Sequence, residues 1–275
     1  MLSSLNRYLP KSILNRFKEP LAYFIRQQQY DLKTQIEQLQ SVLEIRGLVT
    51  PLAPSHLQVR VSGGFDGNFF RNGCSQVSDL ENALKSVGKQ FDDFNTILDF
   101  GVGCGRTLIP LSLSISSKKI FGTDIDNEAI SWLNDNYKEF GGFSCNPHYP
   151  PMAYENDFFD LVFSISIFTH LPEDMQFAWL EELSRITKSS GYLLLSFHGD
   201  YCTAKTPQDV QLEVNKKGFS YVLNSKLVDG LPDFYKNTFH STTYIKKEWG
   251  RFFEVMNIIP QGIGNNQDLA ILRKR

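Results

Sequence analysis

The segment Phe159-Asp160-Leu161-Val162-Phe163-Ser164-Ile165-Ser166 constrains this chain more than any other stretch. It is apolar almost throughout, without the strict alternation of a strand wetted on one face, so it reads as a strand covered on both sides. Ile97-Leu98-Asp99-Phe100, Lys119-Ile120-Phe121-Gly122-Thr123-Asp124 and Tyr192-Leu193-Leu194-Leu195-Ser196-Phe197 have the same character. Between these runs lie helical patterns. Arg106 to Lys118 carries Leu108, Ile109, Leu111, Leu113 and Ile115, and Asn127 to Phe140 turns Ala129, Trp132 and Leu133 inward. From Pro172, a residue suited to a first helical turn, Met175, Trp179, Leu180, Leu183 and Ile186 share one side. Strands alternating with helices make an α/β chain with a doubly wound parallel sheet.

The end of the chain breaks the alternation. A helix is expected over Thr243 to Phe253, then a strand from Phe253 to Ile259, a turn over Pro260 to Asn266, and a last strand over Asp268 to Leu272. Two strands joined by only a turn must run antiparallel.

Residues 1–50 read as a helical N-terminal extension, ended by the turn-rich Thr50-Pro51-Leu52-Ala53-Pro54. Leu32, Ile36, Leu39 and Leu43 recur at helical spacing, and Arg7, Lys11, Arg16, Lys18, Arg26, Lys33 and Arg46 outnumber the acids. Such a segment packs on its own domain, or it rests on a partner chain or membrane surface through residues 1–46. Residues 51–94 form a lead-in or cap, and 95–275 the main domain. Within that domain 201–242 is an insertion too long for an ordinary connection, which suggests a substrate lid. Its Phe219, Tyr221, Phe234, Tyr235 and Phe239 offer an aromatic wall, with Arg60, Phe69, Phe70 and Arg71 available on the opposite side.

Charge and composition narrow the partners. Lys plus Arg is 28 and Asp plus Glu is 30, a formal charge of -2, so nucleic acid is not an expected partner. Cys74, Cys104, Cys145 and Cys202 show no paired spacing and read as ordinary thiols of a reducing compartment. No run approaches about 18 apolar residues, so no membrane span is expected, and the expected location is cytoplasmic.

In a doubly wound sheet, ligands bind beyond the carboxyl ends of the strands. There the chain places Asp99-Phe100-Gly101-Val102-Gly103-Cys104-Gly105 after the first strand and Asp124 at the tip of the second. Glycines let the backbone approach a ligand, and an acid at the next tip accepts both hydroxyls of a ribose. The dinucleotide fingerprint requires a third glycine where this chain has Arg106, and no phosphate-cradling G-x-x-x-x-G-K-[ST] exists. Asp99 would repel a pyrophosphate but attract an ammonium. Those features favour S-adenosylmethionine, an adenosine derivative with an ammonium end and no phosphates.

On these residues the chain resembles class I S-adenosylmethionine-dependent methyltransferases over roughly 95–199 and 243–275. The resemblance implies a mostly parallel seven-stranded sheet ending in an antiparallel hairpin. It also implies that Asp99, Gly101, Gly103 and Gly105 hold the methionine end and Asp124 the ribose. The loop Cys145-Asn146-Pro147-His148 would flank adenine, and Phe159 to Pro172 is family-like. The candidate cofactor contacts are therefore Asp99, Gly101, Gly103, Gly105, Arg106, Asp124, Ile125, Asn146 and Ser164. The chain departs from the family in having Ser189-Ser190-Gly191 before the fifth strand, far from the ligand end. It also lacks the Asn/Asp-Pro-Pro-aromatic motif of enzymes that methylate amino groups on nucleic acid and protein.

A hydroxyl acceptor needs a base, and His198, His170 and His240 are the candidates, the first two following the fifth and fourth strands. His198 with Asp200 does not make a metal site, so no metal is assigned. The expected activity is methyl transfer to a small-molecule or saccharide-like acceptor at oxygen. A protein or nucleic-acid methyltransferase, an NAD-binding oxidoreductase and a catalytically silent cofactor-binding scaffold remain alternatives.

Overall fold

The computed structural model describes residues 52–62, 68–115, 119–222 and 232–275. The expected helical extension 1–50, with its partner or membrane contact through residues 1–46, lies outside the described residues.

Seven strands form one sheet: β1 (Thr96–Phe100), β2 (Lys119–Asp124), β3 (Gly141–Cys145), β4 (Phe159–Ser164), β5 (Thr187–Phe197), β8 (Glu254–Ile263) and β9 (Gln267–Arg273). Their spatial order is β3-β2-β1-β4-β5-β9-β8. Pairing is parallel from β3 to β5, whereas β9 runs antiparallel to both β5 and β8. This is the doubly wound sheet with an antiparallel hairpin that the residue pattern implies. The central strands are apolar along most of their length because both faces are covered. Ile97, Leu98, Leu161, Val162, Phe163, Leu193, Leu194 and Leu195 are all fully buried.

Helices α1 (Ser55–Ser62), α2 (Phe69–Ser86), α3 (Leu108–Ser114), α4 (Asn127–Asn136) and α5 (Glu173–Ile186) accompany the sheet. In α5 the expected apolar side is the buried one: Met175, Trp179, Leu180, Leu183 and Ile186 pack into the main core. Burial stabilises each such side chain by about 1.5–3 kcal/mol relative to exposure. Two helices are shorter than their apolar patterns. Gly105 and Arg106 are still in the turn, so α3 begins only at Leu108. The last helix, α8 (Thr242–Glu248), starts where the Ser241 hydroxyl accepts the Tyr244 N–H, and gives way to a 3-10 turn, Trp249–Arg251.

The insertion is structured where it is described. It contains α6 (Asp200–Thr203), α7 (Gln208–Lys217) and an antiparallel pair, β6 (Phe219–Val222) and β7 (Asn237–His240). Backbone bonds tie the β7 region to the carboxyl ends of β4 and β5: Lys236 N–H to His170 O, Thr238 N–H to Thr169 O, and His240 N–H to His198 O. The insertion therefore stands beside the ligand end of the sheet. Among the described residues, no helix is long and apolar enough to cross a membrane.

Candidate functional site

Strand order reverses between β1 and β4, which opens a crevice at their carboxyl ends. The turn leaving β1 fills it. The N–H groups of Gly101 and Val102 both donate to Thr123 O, at 2.8 and 3.0 Å, which ties the turn to β2. Gly101 and Gly103 have φ of 90° and 54°, in the region L side chains avoid. A Cβ at Gly101 would also lie 2.4 Å from the Ile167 side chain, and one at Gly103 2.5 Å from Val61 Cγ2.

At the tip of β2, Asp124 completes this wall. Its Oδ2 accepts the Gly103 N–H at 2.8 Å, and its Oδ1 accepts the Asp126 N–H at 2.9 Å. A carboxylate has about four acceptor sites, so acceptor capacity remains for a ligand. Burial raises the Asp124 pKa, with the charge of Asp126 adding to it, and the backbone donors of Asp126, Gly103 and Ile125 act against that rise.

A cleft of about 630 Å³ opens in front of these residues, walled by Gly101, Gly103, Arg106, Asp124, Ile125 and Ser166 among others. Helix α1 contributes Arg60 and Val61, and the insertion contributes Pro232 and Tyr235. Arg60 is fixed by ion pairs to Asp126 at 3.0 Å and Glu128 at 2.8 Å. A smaller apolar recess of about 50 Å³ adjoins the cleft, where Phe100, Ile125, Ile167, Trp179, Phe234 and Tyr235 surround Asn146 and His148. Asn146 Nδ2 donates to Pro147 O, whereas its buried Oδ1 has no partner.

The sequence-derived cofactor residues divide on this geometry. Gly101, Gly103, Arg106, Asp124, Ile125 and Asn146 meet on the cleft and recess; Asp99, Gly105 and Ser164 do not. Asp99 lies under the turn, where its carboxylate accepts the Thr107 hydroxyl; burial, with the charge of Asp124 adding to it, pushes its pKa up to about 7. Gly105 faces Leu133 and Leu108. The Ser164 hydroxyl turns inward to Phe100 O at 2.7 Å, and it is Ser166, beyond the strand end, that reaches the cleft.

None of the three candidate bases lines either cavity. Backbone carbonyls of the insertion engage two of them: His170 Nδ1 donates to Lys236 O at 2.8 Å and His198 Nδ1 to Thr238 O at 3.1 Å. His240 is fully buried against Phe197, Phe219 and Trp249, with Nε2 bonded to Gln176 Oε1 at 3.0 Å. Burial lowers all three imidazoles, to about 4, 4 and 3 respectively. Their visible contacts hold the insertion against β4 and β5. Among the described residues, no group of three or more His, Cys, Asp or Glu is placed to hold a metal.

The insertion aromatics divide as well. Phe234 and Tyr235 form part of the recess, Phe219 packs against the main core beside His240 and Tyr244, and Phe239 packs inside the insertion. Tyr235 stacks on His170 at 4.0 Å between centroids, and its hydroxyl reaches Ser166 O at 3.4 Å.

The comparisons with known proteins agree with this architecture. A family model described as a methyltransferase domain matches residues 98–195, the span from β1 to β5. Among solved structures, an S-adenosylmethionine-dependent methyltransferase from Clostridium acetobutylicum is similar in fold (TM-score 0.52, 10% identity, 73% of this chain and 91% of that one). The PH0226 protein of Pyrococcus horikoshii is similar too (0.51, 16%, 73% and 90%). So is a chain of the Haloferax volcanii complex between the Trm112 methyltransferase activator and its candidate methyltransferase (0.53, 12%, 82% and 99%).

Residues 98–195 match a methyltransferase domain, and the sheet has the fold of S-adenosylmethionine-dependent methyltransferases; S-adenosylmethionine is the cofactor that such a domain implies. The residues present fit that group. The glycine cradle leaves no room for a Cβ, Asn146 Oδ1 is a buried acceptor awaiting a donor, and Asp124 retains acceptor capacity. Asp126 and Glu128 are paired with Arg60, so Asp124 is the acid that the cleft offers to a ligand.

Proposed function

We propose that this protein transfers a methyl group from S-adenosylmethionine to a small neutral acceptor, at oxygen. The observation that carries the reading is the convergence of the Gly101–Gly103 cradle, Asp124 and the unpartnered Asn146 oxygen on connected hollows. Asp124 would accept the ribose hydroxyls, Asn146 and Ile125 would border the adenine, and Gly101, Gly103 and Arg106 would face the methionine end. Bound there, the cofactor would supply an electrophilic methyl group to the acceptor oxygen, with sulfur keeping the electron pair and the acceptor's proton passing to water.

The protein's own contribution is alignment and exclusion of solvent. Helix α1 forms one wall through Arg60 and Val61, and the insertion forms another through Pro232 and Tyr235. We assign 201–242 the part of a substrate-side cover on this basis. A cleft bounded by two such elements favours a small acceptor over a macromolecule. The absence of a basic excess in the full chain agrees with that preference.

The test is isothermal titration with S-adenosylhomocysteine, then a methyl-transfer assay on small hydroxylated compounds with no macromolecule present. Binding plus transfer supports the reading. Transfer seen only when protein or nucleic acid is added contradicts it.

A further inference from the structure

A second cavity, of about 260 Å³, lies where α2 meets the β8–β9 turn. It shares Ser166 with the cofactor cleft. Its polar side chains come from three distant segments. Asn72, Ser75 and Gln76 lie at helical spacing on one side of α2, Asn266 and Gln267 come from the hairpin, and Ser166 from the loop after β4. Among the described residues, no titratable side chain lines it. Nearby charges are engaged: Asp79 accepts the Gly264 N–H at 2.9 Å, while Lys205 sits over the Tyr201 ring and reaches Asn266 Oδ1 at 3.4 Å.

Two further observations mark this hollow as a binding site. Gln76 Oε1 and Gln267 Oε1 are both buried without a partner. An unsatisfied buried acceptor costs about 1–3 kcal/mol, so two beside one polar cavity point to a donor-bearing ligand. Ser166, at the junction, is held by three side chains. Its N–H donates to Ser196 Oγ at 2.8 Å, its Oγ accepts Gln267 Nε2 at 2.8 Å, and its carbonyl accepts the Tyr235 hydroxyl at 3.4 Å. It keeps a φ of 65°, a conformation unusual for serine and sustained where the surroundings over-determine it.

We propose that this cavity is the acceptor subsite and that it takes a neutral, polyhydroxylated molecule of the size of a single sugar ring, presented to the cofactor cleft at Ser166. The proposal rests on the methyltransferase reading above and names its substrate class. Amide and hydroxyl groups donate and accept in pairs, which matches vicinal hydroxyls. Among the described residues of these walls, a phosphorylated or carboxylated acceptor would meet no cation and an amine no carboxylate. Gln76 and Gln267 are the specificity-determining residues, with Gln267 also positioning Ser166.

The experiment uses the full chain and two separate readouts. S-adenosylhomocysteine binding is measured by titration. Transfer of labelled methyl is followed with glucose, rhamnose and myo-inositol, and in parallel with glucose 6-phosphate, glucuronate and glucosamine. The expected result is label on a neutral compound, with Gln76→Leu raising its KM about tenfold or more and leaving S-adenosylhomocysteine affinity and melting temperature unchanged; tenfold corresponds to about 1.4 kcal/mol. Asn72→Leu, on the same helix side, provides a second variant should Gln76→Leu fold poorly. Label confined to the charged compounds, label on none of the six, or a KM indifferent to both substitutions overturns the subsite while S-adenosylhomocysteine still binds. Failure of wild-type protein to bind S-adenosylhomocysteine overturns instead the reading beneath it.

Discussion

Asp124 at the tip of β2 accepts the backbone N–H of Gly103 through Oδ2 at 2.8 Å, so the cleft's acid and the turn it faces are one hydrogen-bonded unit. The bond fixes the carboxylate without exhausting it. Asp124→Ala is therefore expected to weaken S-adenosylhomocysteine binding by about 1–3 kcal/mol, through loss of charge-assisted bonds to the ligand. Titration of the variant checks this, with circular dichroism confirming that the turn survives loss of its acceptor. An unchanged dissociation constant would displace the ribose from Asp124.

Gly103 faces α1 at close quarters. Gly103→Ala must adopt a left-handed φ and place its Cβ 2.5 Å from Val61 Cγ2 in the present geometry. The conformational part costs roughly 1–2 kcal/mol and cannot be relieved by neighbours. The steric part can. Gly103→Ala should thus bind S-adenosylhomocysteine at least about tenfold more weakly, and Val61→Ala in that background should recover part of the loss. Equal affinities for the single and double variants would show that α1 does not press on the turn.

Titration of buried groups has opposite consequences for acids and imidazoles. Asp99 has its pKa raised to about 7, so its folded state binds a proton that the unfolded state releases above about 4. Its contribution to stability is complete below that value and is lost as pH rises towards 7. Asp99→Asn, which keeps an acceptor for Thr107, should remove that loss and raise stability at pH 8 by about 1–3 kcal/mol. Denaturant unfolding at pH 5 and pH 8 measures both arms; a variant with an unaltered pH dependence would remove Asp99 from this role.

His170, His198 and His240 act in the other direction. Their folded pKa values, about 4, 4 and 3, lie below the unfolded value near 6.5. The stability they confer is present above 6.5 and falls as pH drops through their folded values. His198→Asn should lessen that acid sensitivity. The kcat profile of methyl transfer should show no limb from these imidazoles between pH 5 and 8, because none lines the cleft. A limb near 6.5 abolished by His198→Asn or His170→Asn would restore a histidine as base.

Tyr235 offers a contrast between ring and hydroxyl. Its ring stacks on His170 and walls both hollows, whereas its hydroxyl makes one long bond, to Ser166 O. Tyr235→Phe should leave S-adenosylhomocysteine affinity within about twofold, and Tyr235→Ala should weaken it by about 1–2 kcal/mol through lost packing. Equal effects of the two variants would assign the contribution to the hydroxyl.

What could be read beforehand followed from local pattern. Phe159 to Ser164 read as a covered strand because its apolar residues fall on both faces, Asp160 alone being partly exposed, and the seven-residue turn before Asp268 left the last two strands no choice but to run antiparallel. Asp124, Gly101 and Gly103 could be singled out because strand tips and left-handed turns leave marks in a single segment, whereas nothing in that segment shows that Gly105 faces Leu133 and Leu108 instead. Ser166, Gln76 and Gln267 left none: they converge from a loop, a helix and a hairpin, a relation only tertiary packing creates. The histidines misled for a related reason. Their places after β4 and β5 suggested the cleft, yet the β7 region presents carbonyls that require donors, and His170 and His198 supply them.

The most direct measurement of the central claim is isothermal titration of wild-type protein and Asp124→Ala with S-adenosylhomocysteine and, separately, with NAD. The account predicts saturable heat from S-adenosylhomocysteine alone, reduced at least about fivefold in affinity by the substitution. Heat from NAD in preference, or S-adenosylhomocysteine binding that ignores Asp124, would contradict it.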